Sequence, residues 1–414
     1  MKTFSILLGK TIRALTRLKK TGGSAYPGWV IERFDPEFLG QVLSKLPYGV
    51  AVISGTNGKT TTTKAVTEIL EQNGLKVFTN NTGSNFVRGV ISAILKDIKI
   101  TGKFDYDIAV LELDEAHAVK FAEVAPIHYS LLLNVQRDQL DRFGEIDYTA
   151  TLLQKIATAT KKTVILNRED PRVGVIKAKN VAYFGLEPEL VDEFPSDDNL
   201  LEKSAKISSK ASKNPALVTL AKLKNSSATY KIGSQFYDTK LSLKGIFNAY
   251  NVAGALALAH TILPDKSAED LLKPLPNIKS AFGRGEILKV GNTELEILLV
   301  KNPSAFQLSL ASFVDNQHDY MIAINDNIAD GRDVSWLWNV DFSKLKNVQI
   351  VSGIRATDMA LRLKYDNVEC GAIEEDLEKA IRKFAKSGDR KKRIFATYTA
   401  MLEIRKIISG KSLL

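Results

Sequence analysis

A chain of 414 residues with 44% hydrophobic content can bury a sizeable core and divide into two or three domains. Its formal charge of +10 suits anionic partners such as nucleotides or lipid phosphates, but no aromatics interleave with the basic runs, which weighs against nucleic acid. The single cysteine, Cys370, and four scattered histidines exclude a disulfide framework, an all-cysteine zinc site and a paired-histidine metal centre, and fit a reducing cytoplasm. No apolar run approaches the roughly 18 residues of a membrane span. The N-terminal stretch has Phe4, Leu7, Leu8, Ile12, Leu15 and Leu18 at helical spacing among Lys and Arg. It reads as an amphipathic helix packed on its own domain, with a membrane-surface role as the minor alternative.

"TGGSAYPG" (21–28) marks a break or turn. From Val50 the chain reads strand, Gly-rich turn, helix 59–73 and strand 76–79, a βαβ unit. Further strands at 108–112, 129–135 and 163–166 alternate with helices at 116–124 and 148–160. Strands that are apolar throughout imply a parallel sheet covered on both faces. Residues 188–235, rich in Ser, Lys and Asp, break this rhythm and read as an exposed insertion or a poorly ordered segment. A helix at 248–262 and the linker "PLPNIKSAFGRGE" follow. A second alternation starts at Glu286: strands at 295–300, 320–324, 348–351 and 393–396, and helices at 305–316, 357–364, 373–385 and from 400. The expected organisation is an N-terminal helical segment (1–44), a central ATP-binding domain (45–285) and a smaller Rossmann-like α/β domain (286–414).

"VISGTNGKTTTTKAV" places Gly55, Thr56, Asn57 and Gly58 between a buried strand and a helix that opens with Lys59, Thr60 and Thr61. Glycines let backbone N–H groups approach phosphates, the helix N-terminus favours anions, Lys59 reaches terminal phosphate oxygens and Thr60 offers Mg²⁺ a hydroxyl. Glu112, ending the 108–112 strand, faces the crevice at the carboxyl edge of the sheet and is the best second Mg²⁺ ligand. Asp114 and Glu115 are better placed to cap the helix that follows. Asp138, Gln139, Asp141 and Arg142 fall on the same edge. Asn80, Asn81 and Asn85 are equivalent candidates for contact with Mg²⁺ or phosphate. In "INDNIADGRDVSW", Asp326, Asp330 and Asp333 follow an apolar strand; by themselves they could bind a metal, hold a ligand, serve as catalytic acids or solvate a turn. Trp336 and Trp338 just after them favour a packed or interfacial loop.

"SGTNGKTTTT", "LELDEA", "LNVQRDQLDRFGE", "ILNREDP", "FNAYNVAGALALA" and "FGRGE" resemble, in order and spacing, the ATP-dependent Mur ligases, which include folylpolyglutamate synthase. "GGSAYPG", "LLVKNPSAFQ" and "INDNIADGRDVSW" resemble more narrowly the MurT-type subunits of lipid II isoglutaminyl synthase. The resemblance implies ATP-dependent amidation, through an acyl phosphate, of the α-carboxylate of D-glutamate in the lipid II stem peptide. It implies ATP and Mg²⁺ as cofactors and ammonia from a GatD-type glutaminase partner. The lipid-linked muropeptide would bring the protein to the inner membrane face. The resemblance also places Asn251 near the base, Lys301 on a segment that swings toward ATP and Arg284 at the domain junction. Asp333, with Asp330 next, would complete a Cys-His-Asp triad in the partner. Gln139 departs from the His that several Mur ligases carry, and the 188–235 insertion lacks the four cysteines of the usual ribbon, so no zinc is expected. Alternatives are an amino-acid-adding Mur ligase or a folylpolyglutamate-synthase-like ligase, or an ATP-dependent scaffold without chemistry.

Overall fold

A computed structural model of the chain describes residues 3–18, 25–80, 86–136, 146–193, 214–224, 226–243, 245–278, 284–388 and 390–409. Helices α1 (Thr3–Leu18), α2 (Tyr26–Phe34) and α3 (Phe38–Leu43) precede the first sheet. That sheet is built from β1 (Gly49–Ser54), β2 (Val77–Thr79), β3 (Ile108–Glu112), β4 (Ile127–Leu132), β5 (Thr160–Asn167), β6 (Val181–Leu186), β7 (Val218–Lys224), β8 (Ser227–Ile232) and β9 (Gln235–Lys240). Its order is β2-β3-β1-β4-β5-β6-β7-β8-β9, parallel as far as β7 and antiparallel beyond. Helices α4 (Lys59–Gln72) and α8 (Ile246–Ile262) cover one face, while α1 to α3, α5 (Val87–Asp97), α6 (Glu115–Val124) and α7 (Ile146–Ala159) cover the other. With apolar contacts on both faces, β1 is buried at every residue. This explains its uninterrupted apolar sequence.

After the short helix α9 (Ala268–Leu272), a second, six-stranded sheet comprises β10 (Arg284–Val290), β11 (Thr293–Leu299), β12 (His318–Ala323), β13 (Asn347–Ser352), β14 (Glu369–Glu374) and β15 (Lys391–Ala396). The order is β10-β11-β15-β12-β13-β14, parallel except for the β10–β11 hairpin. Helices α10 (Pro303–Phe313) and α11 (Ala356–Tyr365) cover one face, and α12 (Leu377–Lys386) and α13 (Tyr398–Ser409) the other. The expected α/β class therefore holds for both sheets.

Three expectations are corrected. Within 188–235, residues from Val218 onward form strands instead of a loose insertion, and the two-residue Gly233-Ser234 turn joins β8 to β9. Strand β8 alternates, with Ala228, Tyr230 and Ile232 buried and Ser227 exposed; its polar outer face hid the period. Residues 194–213 lie outside the described residues. The helix expected at 373–385 begins at Leu377, because 369–374 is the edge strand β14, whose burial alternates. Of the break or turn expected at 21–28, Ala25 is a turn, residues 21–24 lie outside the described residues, and 26–28 instead open a helix, with Pro27 in its first turn, where a missing N–H costs nothing.

Candidate functional site

The order of the first sheet reverses between β1 and β4, and the crevice beyond their carboxyl ends is where such sheets bind ligands. The loop leaving β1 fills this point. Gly55 (φ +132°) and Gly58 (φ +89°) take conformations that side chains rarely adopt. A Cβ on Gly58 would sit 2.5 Å from Asn251 Oδ1, so glycine there is fixed by space as well as by φ. The loop is braced from β4: Thr56 N donates to Asn134 O (3.0 Å) and Asn57 N to Asn134 Oδ1 (2.8 Å). Gln136 N donates to Thr56 Oγ1 (3.0 Å). Helix α4 then starts at Lys59 with Thr61 buried in its first turn.

The Lys59 ammonium is folded back into this loop. It donates to Gly55 O (2.6 Å) and pairs with Asp114 Oδ1 (3.2 Å). Burial pushes the Asp114 carboxyl up, but the charges of Lys59, Lys301 and His117 and the Lys59 hydrogen bond outweigh it and hold the carboxyl below its ordinary range. Asp114 stands at the N-cap position of α6, the place expected for it, but makes no side-chain capping bond there. Thr60 Oγ1 donates to Glu112 Oε1 at 2.9 Å. Hydroxyl and carboxylate oxygens side by side match the hard-oxygen donor set that Mg²⁺ prefers. Asn80 grips the Glu112 backbone twice, through Nδ2 to its carbonyl (2.8 Å) and Oδ1 to its N–H (3.0 Å). Asn81, Asn85, Asp138, Gln139, Asp141 and Arg142 lie outside the described residues.

The second sheet supplies the other wall. Lys301, just past β11, donates to Thr56 O at 3.0 Å. Asn302 caps α10 through Ala305 N (2.9 Å), and its Nδ2 reaches Asn57 Oδ1 (3.1 Å). The cleft between the two units is lined by Asn57, Gly58, Asn251, Leu298, Lys301 and Phe313 among others. Asn251 lies inside α8, five residues beyond its start, so it is not the N-cap of that helix. Arg284 opens β10 opposite Leu298, and its side chain lies outside the described residues.

Residues passed over in the sequence tie this cleft together. Asp170 accepts from Val135 N (2.9 Å) and Val173 N (2.8 Å), and Asn167 Nδ2 donates to Leu133 O (2.7 Å). Tyr250 donates its hydroxyl to Asn167. The motifs "ILNREDP" and "FNAYN" thus brace the β4 segment that braces the glycine loop. Both motifs carry the family resemblance, which assigned no role to Asn167, Asp170 or Tyr250.

The three acids after β12 do not form a cluster. Asp326 pairs with Arg355 (2.7 Å). Asp330 is buried and accepts from Thr399 N (2.7 Å) and the Thr399 hydroxyl, at the start of α13. Asp333 is exposed and accepts from Ser335 N (2.8 Å), closing its own turn. Trp336 packs near Phe306 (6.3 Å between rings), while Arg362 lies over Trp338 (5.5 Å). β11 and β12 are parallel with only β15 between them, and Leu299, Ala396 and Ala323 are level. Lys301 and the acid loop therefore leave the same sheet edge, from strand ends two spacings or about 10 Å apart.

The Mur ligase middle domain family matches residues 53–259, and the MurT ligase C-terminal family matches 299–401. The chain is similar to the lipid II isoglutaminyl synthase (glutamine-hydrolyzing) subunit MurT of Streptococcus pneumoniae, at 30% identity over 99% of this chain and 98% of that one. The subunit of the same name from Staphylococcus aureus (strain COL) is also 30% identical, over 92% and 91%. Among solved structures, MurF ligase from Thermotoga maritima in complex with ADP superposes with a TM-score of 0.66 at 17% identity, covering 89% of this chain and 82% of that one. Folylpolyglutamate synthase of Mycobacterium tuberculosis gives 0.61 at 16%, covering 89% and 92%. These two likenesses concern the fold.

Proposed function

The chain belongs to the MurT branch of the Mur ligase family, an ATP-dependent ligase family, and from that membership we propose that it amidates the α-carboxylate of D-glutamate in the lipid II stem peptide. The observation that carries the reading is the Lys301 ammonium on the Thr56 carbonyl, which closes the second unit over the glycine loop. In this reading the first sheet and its helices are the ATP-binding unit, and the second sheet, which begins at Arg284 within the expected 45–285, belongs to the unit that closes on it.

In this reading ATP lies across the cleft with its base beside Asn251 and its phosphates at the N-terminus of α4, on the N–H groups from Gly58 to Thr61, since those of Thr56 and Asn57 are held by Asn134. Lys59 exchanges Asp114 for the terminal phosphates. Thr60 and Glu112 hold Mg²⁺, which neutralises phosphate charge when bound. A substrate carboxylate oxygen attacks the γ-phosphorus, ADP departs, and an acyl phosphate forms. Ammonia then attacks the acyl carbon, inorganic phosphate leaves, and the nitrogen sheds a proton to give D-isoglutamine. Lys59, Lys301 and Arg284 supply the positive charge such a transfer needs, and positioning carries most of the rate. A GatD-type glutaminase supplies the ammonia, with Asp333 completing its triad from across the interface.

Incubation with lipid II, ATP, Mg²⁺ and ammonium, followed by mass spectrometry of the stem peptide, tests this. The expected result is replacement of one OH by NH₂. Nucleotide binding by folded protein with unchanged lipid II would overturn it in favour of a scaffold, and attachment of an amino acid in favour of an adding ligase.

A further inference from the structure

Surface helices ordinarily turn their apolar stripe inward, as α12 does by burying Leu377, Ala380, Ile381 and Phe384 and leaving its charges outside. Helix α1 buries Ile6 and packs Leu8 against the core, yet leaves a second apolar stripe outside. Its buried positions are Ser5, Ile6 and Gly9, while Phe4 (60%), Leu7 (44%) and Leu15 (54%) are exposed. Thr11 and Ala14 complete that outward side, and the Thr11 hydroxyl folds back onto Leu7 O (2.9 Å), leaving its methyl outward. Phe34 of α2, 53% exposed, extends the stripe, its ring 5.5 Å from that of Phe4.

The helix is firmly docked in this orientation. A Cβ on Gly9 would meet Leu95 Cδ2 at 2.6 Å, so the small residue lets α1 lie close against α5. Lys10 donates to Leu95 O (3.0 Å), and the Ser5 hydroxyl donates to Asp35. The second stripe therefore faces out because the opposite side is already engaged. Helix α1 holds Lys10, Arg13 and Arg17 and no acidic residue, and Arg33 is exposed beside Phe34; of the nearby acids, Glu32 pairs with Arg88, Asp35 is buried on the Ser5 hydroxyl and Glu37 accepts from Gln41.

We propose that the outward face of α1 and the end of α2, with Phe4, Leu7, Leu15 and Phe34 flanked by Arg13 and Arg33, seats the protein on an anionic lipid bilayer. An apolar stripe with Arg13 and Arg33 at its margins, and the nearby acids engaged by Arg88, Ser5 and Gln41, is the pattern of a helix lying at the headgroup boundary. The anionic headgroups supply the complementary charge, and the acyl region receives the side chains. This goes beyond the amidation reading and agrees with its lipid-linked substrate. The test uses substrate-free vesicles, so failure of one leaves the other standing.

The full chain is mixed with phosphatidylglycerol-containing vesicles or with pure phosphatidylcholine vesicles, and bound protein is measured by co-sedimentation. Binding is expected to be at least tenfold tighter to the anionic vesicles and to weaken with salt. Leu7→Gln with Leu15→Gln should cut it at least tenfold with unchanged melting temperature. Arg33→Glu, which keeps the stripe, should cut it by about fivefold or more. Three outcomes overturn the proposal: no binding to anionic vesicles by folded protein, equal binding by the folded double variant, or a solution dimer that the double variant disperses. The last would assign the stripe to a second copy of the chain.

Discussion

The loop after β1 and the loop after β12 occupy equivalent places, each leaving the carboxyl end of an interior parallel strand, yet they treat charge in opposite ways. The first gathers it. Gly55 and Gly58 bend the chain so that Lys59, Asp114 and the Thr60–Glu112 pair converge from α4, β3 and the turn after it. The second disperses it. Gly331 (φ +85°) turns the chain between Asp330 and Asp333, sending one acid inward to Thr399 and leaving the other exposed, while Asp326 is taken by Arg355. Proximity in sequence does not make a site. Where each carboxylate finds its donors decides whether it is free to serve a partner.

That contrast can be broken at several points. Asp333→Asn should reduce glutamine-supported amidation by about 10⁴, the cost of an orienting Asp→Asn change in a triad, and leave ammonia-supported amidation intact. Equal loss of both in a coupled assay would move Asp333 to the ATP site. Lys59→Ala should lower turnover by about 10²–10³ with either nitrogen source, since it removes a pre-placed cation and leaves Asp114 unpaired. Steady-state phosphate release reads this directly.

Asp330→Ala should act on stability instead, by about 1–3 kcal/mol, because it leaves the half-buried Thr399 N–H without its acceptor. Calorimetry should show a lower melting temperature, while ATP turnover of the folded protein stays unchanged. The smallest effect concerns pH. Burial pushes the Asp330 carboxyl above its ordinary 3.8, against the hydrogen bonds from Thr399 and Asn327. The folded state therefore holds that proton more tightly than the unfolded chain. The associated stability is complete below 3.8 and is lost as pH rises through the folded value. The melting temperature of the wild type minus that of Asp330→Asn should fall over that interval, and a flat difference would show that the carboxyl gains nothing from its proton.

Much of the fold was legible because the parallel strands are apolar throughout and the turns carry glycine. The glycine loop after β1 was legible for the same reason: strand, glycine turn, Lys and Thr are adjacent in the chain. Strand β14 and the hairpin β8–β9 were missed because only one of their faces meets a core, so their polar residues masked a period of two. Asp114 and Asn302 were missed as site residues because their partners, Lys59 and Asn57, lie 55 and 245 residues away in sequence.

The sequence by itself determined the α/β alternation, the glycine turn after β1 and the meeting of Thr60 and Glu112 at one sheet edge. These rest on local spacing and on which edge of a parallel sheet faces ligand. Tertiary structure alone decided which of three acids stays exposed, which asparagines clasp the glycine loop, and that α1 leaves a second apolar stripe outside. Each depends on burial by distant elements, and burial is a property of packing that no local pattern encodes.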